Sequence, residues 1–312
     1  MNINLFKEIC QKTQEEVKEY ATQELRKTHD KVIVDDGFVF AQGTFPVLLL
    51  AHMDTVHKTE PKMFVYDPNK QVLSSPQGIG GDDRCGIYMV LEVIKKYNCS
   101  VLFCEDEEIG AVGAVKFTLS KLAQTLKFNY AIEFDRQGSN DAVFYDCDNE
   151  EFEEFITKEF YKTTWGSFSD ISEVAPALGC AAVNLSCGYY KAHTKDEYVV
   201  LPEMEASIAA ACKILERTTE ENVFEYIEAV HWYKRNGKYD WFDDYDYGYS
   251  YGYGKEEQYF LIEYVEDKLP GSQWYEAIAF SEEEAIGRFC MEHPTIPYID
   301  IIDISHDSTW NK

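Results

Sequence analysis

Basic residues are scarce in this chain. Lys and Arg total 29 against 56 Asp and Glu, a formal net charge of −27 over 312 residues. Nucleic-acid backbones are bound through clustered Lys and Arg, so a nucleic-acid partner is excluded as an expectation. Anionic membrane surfaces are disfavoured for the same reason. No apolar run approaches the roughly 18 residues that suggest a membrane span. The opening segment MNINLFKEICQKTQEEVKEY lacks the basic start, apolar middle and small-residue cleavage site of a signal peptide, and reads as an amphipathic helix. There is no C-x-x-C pair among the nine cysteines, an odd number, and Cys104, Cys180 and Cys212 lie in apolar runs. Reduced, mostly buried thiols in a cytoplasmic protein are therefore expected. No repeat of solenoid period is present.

What the chain does have is apolar content. At 45% it can support a substantial core, and the length suits one large domain plus a small appendage. Residues 3–29 carry helical spacing. KVIVDDGFVFAQG (31–43) reads as two short strands around the Asp36-Gly37 turn. FPVLLLAHMD is apolar without alternation, as in a strand buried on both faces. IYMVLEVIKKY after Gly86 is helical, and NCSVLFCE, FNYAIEFD and GCAAVNLSCG are further buried strands. Residues 202–217 form a helix with Pro202 in its first turn. Buried strands alternating with helices imply an α/β domain with a largely parallel sheet, whose ligand site lies beyond the carboxyl ends of the strands. The composition changes after about residue 235. A Tyr/Asp/Gly tract (236–257) reads as a linker or loop, with a tyrosine-rich binding surface as the alternative. Residues 258–312 then read strand, strand, helix, strand, a small α+β module whose helix opens on a capping box of Ser281 and Glu284.

Acids and histidines follow the apolar runs of the larger domain. His52 and Asp54 in LLLAHMDTV stand two residues apart, so in an extended chain they face one site. There, His52 would bind a metal while Asp54 fixes its imidazole; the plain alternative is a strand end with a solvated Asp. In GIGGDDRCG, glycines allow close backbone approach, and one of Asp82 and Asp83 can bridge two cations while the other caps the following helix. In VLFCEDEEIG a buried strand runs directly into acids, an arrangement that calls for cations. Of Glu107 and Glu108, one can ligate while the other takes a proton from a water acidified by zinc. Asp135 ends FNYAIEFD, and His193 follows a small-residue strand. The set of two imidazoles and several carboxylates suits two zinc ions sharing one bridging ligand, with a general base beside them. The histidines at 29, 57, 231, 293 and 306 read as structural or surface residues, His57 the least settled of them.

With these motifs in order (HMDTV, GDDRCG, DEEIG, EFDR and AHTKDEYV), the chain resembles the co-catalytic dizinc exopeptidases, the superfamily of leucyl aminopeptidases, peptidase T and glutamyl aminopeptidases, over roughly residues 30–215. The resemblance implies a phosphorylase/hydrolase-like α/β/α sandwich. It implies His52 and Asp135 on one metal, Glu108 and His193 on the other, Asp82 between them, Glu107 as general acid/base and Asp54 as the orienter of His52. It also suggests that GSFSD (166–170) lines the substrate pocket. Two departures stand out. Peptidase T and its relatives insert a lid and dimerisation domain before the second histidine, but only residues 136–192 separate Asp135 from His193 here. The glutamyl type inserts a large domain after H-x-D, where residues 55–81 suffice here. The implied enzyme is a lidless catalytic core (1–235) that hydrolyses the amide bond of a peptide, with aminopeptidase as the first expectation. An amidohydrolase of N-acyl amino acids and a non-catalytic binding protein on the same fold are the alternatives. Two zinc ions are expected, and cobalt or manganese suit the same N/O donors. The oligomeric state is not written in the sequence.

Overall fold

The computed structural model describes residues 1–166 and 168–229 and three further strands, 258–265, 272–279 and 301–306. The chain divides into two units, Met1–Ala229 and Val230–Lys312.

The expected helix over 3–29 is two helices, α1 (Ile3–Cys10) and α2 (Gln14–Leu25). The break lies at Thr13, which forms a capping box with Glu16. The Glu16 amide donates to Thr13 Oγ1 (3.2 Å), and the Thr13 amide donates to Glu16 Oε2 (3.0 Å). A hairpin follows, β1 (Lys31–Asp35) and β2 (Phe38–Gln42), with Gly37 at φ 93 in its turn. This is the conformation that Asp-Gly turns favour. Next come β3 (Phe45–His52), the short β4 (Val65–Asp67) and β5 (Val72–Ser74), α3 (Gly81–Val93), β6 (Cys99–Cys104) and α4 (Val112–Leu119). The unit continues with β7 (Tyr130–Arg136), β8 (Asp141–Val143), α5 (Glu150–Thr157), β9 (Lys162–Thr164) and α6 (Asp170–Leu178). It closes with β10 (Ala182–Ser186), β11 (Tyr189–Tyr190), β12 (Tyr198–Val200) and α7 (Leu201–Glu216), which carries Pro202 in its first turn.

Eight strands form the main sheet in the order β1-β2-β6-β3-β7-β10-β8-β9. The central four, β6-β3-β7-β10, are parallel, while β2 and β8 join them antiparallel. The unbroken apolar run of β3 has a direct cause. Val47, Leu49 and Ala51 pack into one core with residues of α1, α2, α3, α5 and α7, whereas Leu48 and Leu50 pack into a second with residues of α4 and α6. Both faces of the strand are covered, so neither can be polar. Each buried leucine contributes roughly 1.5–3 kcal/mol. The result is the α/β/α sandwich expected from the motifs. A small antiparallel sheet, β11-β12-β5-β4, lies beside it, and its β11–β12 connection carries His193.

In the second unit, β13 (Gln258–Val265), β14 (Ser272–Ala279) and β15 (Ile301–His306) pair antiparallel in the order β14-β13-β15. The tract 236–257 and the helix expected at Ser281 and Glu284 lie outside the described residues. Among the described residues no helix is long and apolar enough to cross a membrane.

Candidate metal centre

Parallel registration brings the distant motifs to one edge of the sheet. His52 pairs with Cys104, so the acids after Cys104 emerge beside it. Leu50 pairs with Glu133, which sets Asp135 level with His52 on the other side. Neighbouring strands are only about 4.8 Å apart, so His52 and Asp135 at the ends of β3 and β7 stand side by side. The loop after β6 brings Glu107 and Glu108 to them. The glycine-rich start of α3 supplies Asp82 from one side, and the β11–β12 connection supplies His193 from another.

Asp82 lies between the two imidazoles. Its Oδ1 is 3.0 Å from His52 Nε2 and its Oδ2 is 3.2 Å from His193 Nε2. Each imidazole nitrogen meets one further carboxylate: Asp135 Oδ1 is 3.4 Å from His52 Nε2, and Glu108 Oε2 is 3.0 Å from His193 Nε2. Two donor sets result, His52–Asp82–Asp135 and Asp82–Glu108–His193, sharing one aspartate. Two ligand atoms at the usual zinc distances and a tetrahedral angle stand about 3.4 Å apart, so these spacings suit a pair of divalent ions. Glu108 Oε1 is buried and has no hydrogen-bond partner among the described residues, which leaves it free to ligate. Glu107 comes within the same range of His52 and Glu108. The residues present therefore fit two metals of the N/O-preferring kind.

Asp54 acts on both sides of this cluster. Its Oδ1 lies 3.1 Å from His52 Nδ1, and its carboxylate accepts the amides of Glu107 (3.0 Å) and Glu108 (3.1 Å). The same carboxylate thus fixes the His52 ring, with Nε2 turned to Asp82 and Asp135, and anchors the loop carrying the two glutamates. The two aspartates of GDDRCG divide as the alternatives allowed. Asp83 turns away from the centre, accepting the Gly86 amide (2.8 Å) as a helix cap and the His52 amide (3.2 Å).

The electrostatics carry an excess of acid. Burial pushes Glu107 well above its ordinary range, and burial with the Asp82 charge raises Asp135 and Glu108. Burial alone would lower both histidines, but the carboxylates around them win. His52 is raised by Asp135, Asp54 and Asp82, and His193 is held up to about 12 by Asp82 and Glu108. Burial would raise Asp82, yet its hydrogen bonds to both histidines hold it below the carboxylate range. The raised histidines answer the same excess of carboxylate charge that bound dications would balance.

Several supporting residues went unmarked in the sequence reading. Glu197 is fully buried and accepts the amides of Gly80 (2.8 Å) and Asp82 (2.9 Å) and the His57 imidazole Nε2 (2.9 Å), fixing the loop that presents Asp82. His57 therefore belongs to the support of the centre. Asn184 on β10 accepts the Asp135 amide (2.9 Å), and Ser169 Oγ donates within reach of Glu133 (2.6 Å) and Asp135 (2.9 Å). Within the GSFSD segment Ser169 and Asp170 are fully buried beneath the cluster, Phe168 is exposed, and Ser167 lies outside the described residues. Burial raises Glu133 well above the carboxylate range and Asp170 to about 7. Glu133, two residues before Asp135 and hence on the same strand face, was a readable signal: a charge inside an otherwise apolar strand. Glu197, in a run of exposed polar residues, offered none.

No family model matches the sequence, and no curated protein does. Solved structures do. The aminopeptidase PepT of Bacillus cereus ATCC 10987 superposes with a TM-score of 0.57 at 15% identity, covering 69% of this chain and 97% of that one. A TET aminopeptidase from a marine-sediment thaumarchaeote gives 0.56 at 14% identity, covering 71% and 98%. A tripeptidase of Staphylococcus aureus gives 0.54 at 14% identity, covering 69% and 96%. At such identities the likeness is one of fold: this chain has the α/β architecture of those peptidases, the architecture that its five motifs implied.

Proposed function

We propose that this chain is a metal-dependent peptidase that removes residues from the free amino end of peptides. The observation carrying this reading is the Asp82 carboxylate held between two imidazoles, each with a second carboxylate at ligand distance. In the proposal His52 and Asp135 hold one ion, Glu108 and His193 the other, and Asp82 belongs to both. The fold shared with proteins named as aminopeptidases and a tripeptidase supports the substrate class.

Bound divalent ions would supply Lewis acidity to the scissile carbonyl and lower the pKa of water. The rest falls to the chain's own groups. Glu107 accepts the proton of the attacking water and passes it to the departing amine nitrogen. Burial raises the Glu107 carboxyl, which suits a group that must give the proton back as well as take it. Asp54 is a positioning residue: it holds the His52 ring and the Glu107 and Glu108 amides in one frame.

Release of p-nitroaniline from amino-acid p-nitroanilides tests the reading, with loss of turnover in chelator and recovery on adding zinc as the expected result. Hydrolysis confined to N-acyl amino acids would turn the assignment to a deacylase. A zinc-loaded protein that cleaves neither class across a peptide library would sink the enzyme reading.

A further inference from the structure

The acid run after β6 divides between two neighbours. Glu107 and Glu108 turn to the histidines of the metal centre. Glu105 and Asp106, just before them, turn to the N-terminal helix α2. The Gln14 side chain meets Asp106 twice: its Nε2 donates to Asp106 Oδ1 (2.9 Å), and its Oε1 accepts the Asp106 amide (3.1 Å). Lys18, one turn further along α2, donates to Glu105 Oε2 and to the Asp35 carbonyl (2.7 Å). Residues four apart share a side of a helix, and burial of Val17 and Ala21 in the core fixes how α2 is turned.

This grip falls where the loop needs one. Asp106 has φ 60, a left-handed conformation that a residue with a Cβ adopts only at a cost. Four consecutive carboxylates also repel one another. Three successive amides find side-chain acceptors: that of Asp106 in Gln14, and those of Glu107 and Glu108 in Asp54. The contact calls for a glutamine, whose amide offers a donor to the carboxylate and an acceptor to the backbone N–H at once. A glutamate in its place has no donor to offer.

We propose that Gln14 is a positioning residue for Glu107 and Glu108, acting through Asp106. The proton transfer assigned to Glu107 rests on the proposed peptidase function; the placing of the loop does not. A loosened loop weakens the donor set Asp82–Glu108–His193 more than His52–Asp82–Asp135, whose members stand on other elements.

A charge swap in the full chain tests this. Gln14→Glu sets a carboxylate against Asp106. The double change, Gln14→Glu with Asp106→Asn, restores both hydrogen bonds with the side-chain donor moved to position 106. Neither change strains its own backbone, since an acid suits the first turn of a helix and asparagine suits a positive φ. Both variants should fold, with Tm close to that of the parent. The first readout needs no metal: hydrogen exchange of the Glu107 and Glu108 amides, followed by NMR in zinc-free protein. Gln14→Glu should lower their protection about tenfold, or ~1.4 kcal/mol, and the double variant should recover it. Zinc titration reads the consequence. In Gln14→Glu one of two bound ions should weaken about tenfold and the other less than about twofold, with recovery in the double variant. A role confined to α2 itself would not be rescued by a change at Asp106. Unchanged amide protection in Gln14→Glu, no recovery in the double variant, or equal weakening of both ions would overturn the proposal. Protection lost and recovered in a chain that binds no zinc would count against the metal centre and still uphold the positioning of the loop.

Discussion

Glu107 and Glu108 are neighbours in the chain but keep different company. Glu108 Oε2 lies 3.0 Å from His193, whereas the Glu107 carboxyl, pushed up by burial, makes no such ion pair among the described residues. Glu107→Gln should therefore retain both metals, read by elemental analysis, while turnover falls about a thousandfold. Near-normal turnover in that variant would remove Glu107 from the reaction. Glu197 makes a different kind of contribution. It is wholly buried and accepts three donors. A glutamine there turns an N–H toward at least one of them, so Glu197→Gln should lose about 1–3 kcal/mol in denaturant unfolding and weaken zinc binding roughly tenfold or more. Unchanged affinity would mean that the Asp82 loop holds itself. At this scale the sequence was legible wherever a charge interrupted an apolar strand. It was not legible at Glu197 or Gln14, whose partners arrive from elsewhere in the chain.

Strands that read as unbroken apolar runs were legible because both their faces are buried, as β3, β6 and β10 illustrate. The N-terminal helix was legible as helix but not as two, although the T-x-x-E of Thr13 and Glu16 marks the break. Helix α3 depends on a glycine that periodicity does not explain. A Cβ on Gly86 would stand 2.0 Å from the carbonyl oxygen of Phe134 on β7 and 2.3 Å from Asp83 Oδ2. Gly86→Ala must push the helix from the sheet at the point where Asp82 and Asp135 meet. A stability loss at the upper end of about 1–3 kcal/mol is expected by thermal unfolding, together with weaker metal binding. A variant as stable as the parent would show that this packing is looser than the geometry implies.

On the proposed function, metal and fold are linked for the larger unit as a whole. Zinc at about a thousand times its dissociation constant adds roughly 4 kcal/mol to the folded state, which for a unit of this size raises Tm by about 10 °C. Chelator should remove the increment and zinc restore it; a Tm indifferent to both would argue against any metal centre. Protons compete for the same ligands. His193, held up to about 12 by Asp82 and Glu108 against the effect of burial, carries a proton in the metal-free chain across the neutral range. Metal binding must expel it, so apparent zinc affinity should fall as pH falls, about tenfold per unit for each proton displaced. Calorimetry in buffers of different ionisation enthalpy reads the released protons, and an affinity constant with pH would contradict the picture.

The sequence by itself determined the class of fold and the residues around the centre. Apolar runs must be covered on both faces, and acids stranded at their ends need a counter-charge. Both requirements are local and can be read one segment at a time. Tertiary structure alone decided that Ser169 and Asp170 lie beneath the cluster and that Glu197 and His57 brace it. It alone brought Gln14 of α2 to Asp106. Those outcomes depend on contacts between residues far apart in the chain, and a side chain's partner across such a distance is set by packing, which no local pattern records.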